Sequence, residues 1–290
     1  MDTQTLRAFL SVAKHQSFSE AAEELFLTQP AVSKRIISLE EQLDSKLFDR
    51  VGRKVSLTPT GNALLPKARA ILNLIKSTEQ ELHNLSQQVS GSLEIICSHH
   101  VGLHRLPPIL KEYARRFPDV DLKIEFGESE SGYEQVLHGD KELALITLAP
   151  HPHANLISQT IWHDKMKFVC SLDHPLAAIE NIQLSDLANH KAILPSPNTF
   201  TRQKVEDLFA DTEVSLDVVT STNYLDTIRM MVSIGYGWSV LPESLTKDLK
   251  TLEIDSEMSS RQLGYLVHQH HSLTNAAKAL IELLEQNTDR

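Results

Sequence analysis

The sequence predicts a small all-helical head with a winged helix-turn-helix layout, joined through one long helix to an α/β body. Three observations carry that expectation. Two apolar-periodic runs meet at a very short connection in "SFSEAAEELFLTQPAVSKRIISLEEQL" (17–43), an uninterrupted helical pattern runs from about 60 to 89, and strand-like and helix-like segments alternate from 91 onward.

The head begins with Leu6, Phe9, Leu10 and Ala13 at helical spacing. Ser17 and Ser19 are candidate caps for a second helix whose apolar side is Ala21, Ala22 and Leu25. Thr28 or Gln29 opens a third, with Pro30 in the first turn, where its missing N–H costs nothing, and Val32, Ile36, Leu39 and Leu43 as the inward stripe. The opposite side presents Gln29, Ser33 and Lys34 near the helix start, followed by Arg35. A helix N-terminus attracts phosphate, and a glutamine side chain offers a donor and an acceptor to a base edge, so this pair of helices reads as a device for the major groove. An ordinary helical hairpin would share the apolar pattern.

The next stretch, "LFDRVGRKVSLTPTG" (47–61), alternates around Val55 and Leu57 after a turn at Gly52, and gathers Arg50, Arg53 and Lys54 there. It reads as a two-stranded wing with a basic tip, suited to phosphates or a minor groove. Leu64, Leu65, Ala68, Ile71, Leu72, Ile75, Leu82 and Leu85 then form one long helical stripe with Pro66 in its early turns, and a stripe of that length is expected to pair with a second copy.

In the body, "SLEIICS", a helix near 106–116, "VDLKIEF", a helix near 131–138 and "LALITL" alternate, which implies parallel strands with ligands beyond their carboxyl ends. A final amphipathic helix covers 276–284.

Composition agrees with a regulatory rather than a catalytic chain. The 290 residues carry a net charge of -10, yet residues 1–90 hold 11 basic and 10 acidic side chains, so the acidity belongs to the body. Two cysteines, Cys97 and Cys170, are too few for a disulfide framework, and no secretory leader or membrane span is read, so the cytoplasm is the expected location. No GxSxG, P-loop, strand-linked GxGxxG or HExxH occurs, so no enzyme activity and no cofactor are expected. A solute-binding protein would carry a leader in place of the head.

The block 17–50, the "LTPTG" wing exit, the long helix, and the later "RFPDV", "DHPLA" and "MMVSIGYGWSVLPESL" segments resemble the LysR-type transcriptional regulators over essentially the whole chain. The block "SHHVGLHRLPP" resembles, more faintly, a branch tied to ferredoxin-NADP reductase and oxidative-stress genes. The resemblance implies a winged helix-turn-helix domain (1–60), a linker or dimerisation helix (61–89) and a two-lobed effector domain like that of periplasmic binding proteins (90–290). Lobe I is expected at 90–161 and 268–290, and lobe II at 162–267. It further implies Thr28, Gln29, Pro30, Ser33, Lys34 and Arg35 at bases and phosphates, and Arg50, Arg53 and Lys54 on the backbone or minor groove. The implied partners are an operator duplex, a small-molecule effector, further copies of the chain as dimer or tetramer, and RNA polymerase. Ile37 and Ser38 depart from the pattern, since many relatives are basic there, and two fewer cations imply a shallower salt dependence.

The implied effector cleft collects the strand ends of the body: Ser98, His99, His100 and Val101; Thr147; Ser196, Asn198, Thr199, Phe200, Thr201 and Arg202; and Asn223. Hydroxyls, amides and helix starts suit a small polar, often anionic ligand. No metal is expected, because adjacent residues at a strand end point apart and no third ligand accompanies His99, His100 and His104. Cys97 and Cys170 lie in apolar runs and are expected to be packing residues, the alternative being a thiol-based redox sensor.

Overall fold

A computed structural model describes residues 1–51, 54–85, 88–151, 153–210, 215–254 and 260–289. Chain contacts divide it into two compact units, Met1–Ser86 and Gln87–Arg290.

The first unit starts with α1 (Thr3–His15), closed at its N-terminus by a capping box between Asp2 and Thr5, and α2 (Phe18–Glu24), capped by Ser17 through the Glu20 N–H. Phe26 at φ 54° turns the chain into α3 (Gln29–Leu43), with Thr28 as N-cap and Pro30 in the first turn. Val32, Ile36 and Leu39 are fully buried against Leu6, Phe9 and Val12, so the apolar stripe does fix which side of α3 faces inward. Leu43 is 37% exposed and leaves that stripe. Strands β1 (Phe48–Val51) and β2 (Lys54–Leu57) pair antiparallel as a hairpin. Thr58 accepts from the Gly61 N–H and donates to the Lys46 carbonyl, which starts α4 (Pro59–Asn84) and ties it to the wing. A side chain at position 61 would lie 2.2 Å from the Leu47 carbonyl oxygen, so glycine is what permits this approach. Ala68 of α4 completes the core, whereas Leu74 and Leu82 farther along are 69% and 65% exposed.

The second unit has two lobes. The chain lays down β3 (Gly91–Ser98), α5 (His99–His104), α6 (Pro107–Arg116), β4 (Val120–Gly127), α7 (Ser129–Leu137), β5 (Leu143–Thr147) and β6 (Leu156–Asp164). It crosses to β7 (Met166–Cys170), α8 (Leu184–Ala188), β8 (Ala192–Leu194), α9 (Phe200–Phe209), β9 (Val218–Ser221), α10 (Leu225–Ser233), β10 (Ser239–Pro242) and β11 (Lys250–Leu252). It returns through β12 (Arg261–His268) and ends in α11 (Asn275–Gln286).

The first lobe is a sheet of order β4-β3-β5-β12-β6, parallel around β3 and antiparallel on both sides of β12. Helices α6 and α11 cover one face over Leu93, Ile95 and Leu145, and α7 covers the other over Ile96, Ala144 and Ile146. The second lobe holds the sheet β10-β7-β11 and the parallel pair β8-β9 around Trp238, whose indole N–H donates to the Leu187 carbonyl. The "GYGWS" run is a helix-to-strand turn between α10 and β10, with Gly235 at φ 79°.

The expected lobe boundaries shift. Strands β6 and β12 lie wholly in the first sheet, because they pair with each other from Leu156–His268 to Asp164–Arg261. The chain therefore crosses after Asp164 rather than at 162, and returns before Arg261 rather than at 267.

Candidate functional site

In the first unit the front of α3 stands clear of the core. Thr28, Gln29, Pro30 and Lys34 are exposed, and Ser33 and Arg35 are half-buried. The Thr28 side chain makes no cap bond, so its hydroxyl is left for an external partner at the positive end of the helix. Arg35 donates to Gln4 Oε1 at 2.8 Å and so holds α1 against α3. Exposed Arg50 lies over the Phe18 ring at 4.1 Å, which orients its guanidinium on the wing. Lys54 opens β2, and Arg53 lies outside the described residues. Glu40, which periodicity did not single out, is buried and accepts from the Leu47 and Phe48 N–H groups and from Lys46, fixing the root of the wing to α3.

In the second unit, a cavity of about 70 Å3 lies between the lobes at the carboxyl ends of β3, β4 and β5. The first lobe contributes Ser98, His99, His100 and Thr147, together with Gly127, Glu128, Ser129 and Glu130. The second contributes Thr199, Phe200, Thr201, Asn223 and Leu225, and Arg261 enters from the returning strand. Two carboxylates bridge the lobes: Glu130 Oε1 accepts from the Phe200 N–H at 3.0 Å, at the start of α9, and Glu128 accepts from the Asn223 amide. The Asn223 oxygen accepts from the Ser196 N–H at 2.9 Å, which turns its NH2 toward Glu128. At the mouth, the His99 ring lies between Phe126 and Tyr224, at 5.7 and 4.8 Å.

Beneath the cavity, Asp164 Oδ2 accepts from His100 Nε2 at 2.7 Å and from Arg261 at 2.8 Å, while Oδ1 accepts from Arg105 at 2.8 Å. Those donors outweigh burial and hold its carboxyl well below the usual range. Burial pushes the His100 imidazole below its ordinary value, against the pull of Asp164.

Comparison with known proteins decides what these two sites belong to. Residues 3–62 match the bacterial regulatory helix-turn-helix protein family, lysR type, and residues 86–289 match the LysR substrate binding domain. This chain is a LysR-family transcriptional regulator. It is 33% identical over 243 residues to the HTH-type transcriptional regulator BbuR of Bordetella bronchiseptica, covering 84% of this chain and 74% of that one. Full-length OxyR from Pseudomonas aeruginosa has a similar fold, with a TM-score of 0.68, 23% identity and 98% of both chains covered. CbnR bound to its target DNA matches at a TM-score of 0.62 and 18% identity, covering 99% of this chain and all of that one.

The LysR regulator thus has a DNA-binding domain and an effector-binding domain, and belongs among ligand-responsive regulators rather than enzymes. Four residues expected in the cleft lie elsewhere. Val101 is fully buried in the core beneath α5, because it points away from the strand end on the helical turn that brings His100 forward. Asn198 is exposed ahead of α9, Ser196 takes part through its backbone only, and Arg202 folds back to Glu206 at 2.7 Å and the Pro195 carbonyl. Glu128 and Glu130 were missed although the strand-end rule applied to β4 reaches them. Arg261 had no local signal.

Both cysteines of the regulator are buried, and burial pushes the Cys97 thiol to about 12 and the Cys170 thiol to about 11. Among the described residues no group of three His, Cys, Asp or Glu side chains is arranged to hold a metal. No described helix is long and apolar enough to cross a membrane.

Proposed function

We propose that this regulator reads its operator through the N-terminal turn of α3, with Gln29 at a base edge, Thr28, Ser33 and Lys34 at phosphates, and Arg50 of the wing on the backbone. The observation that carries this reading is the division of α3 into a buried rear of Val32, Ile36 and Leu39 and an exposed front of Thr28, Gln29, Pro30 and Lys34. Such a helix has one face free to enter a major groove. Exposed leucines on α4 support self-association of the chain as a dimer, with body-to-body contacts making a tetramer that works in the cytoplasm with RNA polymerase.

A small effector occupies the interlobe cavity and favours one arrangement of subunits over another, altering the spacing and bend of the bound DNA. Ser98, His100 and Arg261, all lining that cavity, each keep a buried polar atom without a hydrogen-bond partner among the described residues, which supports a polar occupant.

The test is competitive binding of the full chain to operator fragments selected from genomic DNA. Gln29→Ala is expected to relax preference at one half-site position at a cost of ~1–3 kcal/mol, and Arg50→Ala to weaken all sequences alike and lower the salt slope by about one. Indistinguishable behaviour of the two variants would refute the assignment.

A further inference from the structure

The cleft is chemically one-sided. His100 shows why. Asp164 already accepts from two arginines and stays ionised, so the hydrogen on the His100–Asp164 bond belongs to Nε2. Burial keeps the ring neutral, which leaves Nδ1 as a lone pair that nothing in the described protein donates to. The ligand must bring that hydrogen.

The rim repeats the demand. Glu128 and Glu130 are acceptors, and they occupy the two second-lobe donors that a bound anion would seek, the Asn223 amide and the Phe200 N–H at the start of α9. Arg261 is the one guanidinium among the described lining residues, and its NH2 is committed to Asp164. What it retains is a single unpartnered Nε–H, and Ser98 adds an unpartnered hydroxyl. The residues carrying these three atoms are 8% (Ser98), 9% (His100) and 7% (Arg261) exposed. A carboxylate or phosphate would meet two carboxylates and a lone pair for every donor it found.

Resting on the cleft reading above, we propose that the effector is a small primary amine that also carries an oxygen acceptor, of amino-acid or amino-alcohol size. Its ammonium donates to His100 Nδ1 and to the glutamates at the rim, and its oxygen accepts from Arg261 Nε and Ser98 Oγ. The size follows from the cavity, since about 70 Å3 is room for roughly five to seven water-sized groups. The Glu130 and Glu128 contacts to the second lobe then double as the means by which the ligand is felt across the cleft, because an ammonium that shares these carboxylates changes the bonds joining the lobes.

Matched pairs test the assignment on the full chain by thermal shift: alanine against lactate, serine against glycerate, with ethanolamine and malonate as the purely cationic and purely anionic probes. The amines are expected to raise the melting temperature and their hydroxy-acid partners to leave it unchanged. Glu130→Gln, which can still accept from the Phe200 N–H, is expected to weaken the amine about five- to tenfold, the ratio for a charge-assisted hydrogen bond replaced by a neutral one. A shift with the acids alone that Ser98→Val abolishes overturns the amine class and leaves the cleft reading standing. Shifts that neither Glu130→Gln nor Ser98→Val alters overturn both, and the absence of a shift with every probe overturns the amine proposal.

Discussion

Arg261 donates to Asp164 Oδ2 at 2.8 Å and so joins the last residue of β6 to the first residue of β12, the two points where the chain leaves and re-enters the first lobe. Both are buried, and His100 at the floor of the cleft shares the same oxygen. The hinge between the lobes and the ligand cavity are therefore one hydrogen-bonded unit. Removing one partner from a buried charge pair leaves the other uncompensated, at ~3–5 kcal/mol. Asp164→Asn is expected to lower the urea midpoint of the body accordingly, and an unchanged midpoint would mean that the pair is dispensable to the hinge.

The same unit sets an acid limit. The folded Asp164 carboxyl titrates below its unfolded value, so it stabilises the body above about pH 4 and that contribution is lost as the pH falls toward the folded value. His100 is also depressed, by burial, so below about pH 6.5 the unfolded chain takes up a proton that the folded imidazole declines, and stability again falls with acid. His174 and His268 are shifted the same way and add to the upper window. Denaturation between pH 8 and pH 4 should show stability decreasing throughout, with a shallower slope below pH 6.5 in His100→Gln. An identical slope in that variant would remove His100 from the linkage.

What the sequence made legible, and what it hid, follows from range. The inward side of α3 could be read because Val32, Ile36 and Leu39 recur at a helical period within eight residues, and Pro30 marks the helix start. Ser98, His99, His100 and Thr147 could be placed because strand ends in an α/β sheet share one edge. Arg261 could not, since its partner is 97 residues away and pairing at that distance leaves no period. Glu128 and Glu130 sit in "FGESE", which reads as a solvated acidic loop until the second lobe supplies Asn223 and Phe200. Glu40 was concealed similarly, as a charged residue in a charged stretch whose acceptors' partners lie on the next turn of chain.

The linker helix makes a prediction about assembly. Leu74 and Leu82 are 69% and 65% exposed on α4, and covering a leucine side chain contributes ~1.5–3 kcal/mol. Substituting both by glutamate is expected to shift the sedimentation coefficient toward that of a monomer and to weaken binding to a two-half-site operator much more than to a single half-site. Unaltered sedimentation would place the interface off this helix.

The cysteines bear on whether oxidants are sensed. The thiolate is the reactive form, and with thiols pushed to about 12 and about 11, fewer than roughly one in ten thousand is ionised at pH 7. Cys97 is fully buried in β3 between strands it packs against, and Cys170 is fully buried in β7, so neither has the electropositive, open setting that a peroxide-reactive thiol needs. Cys97→Ala should therefore cost about 1–2 kcal/mol of packing and leave DNA binding before and after peroxide equal to that of the unaltered chain. Mass spectrometry of the peroxide-treated regulator should find both thiols unmodified. A sulfenic acid or a new disulfide at either position, with a matching change in operator binding that Cys97→Ala abolishes, would make the chain a redox sensor and require the strand to open before it reacts.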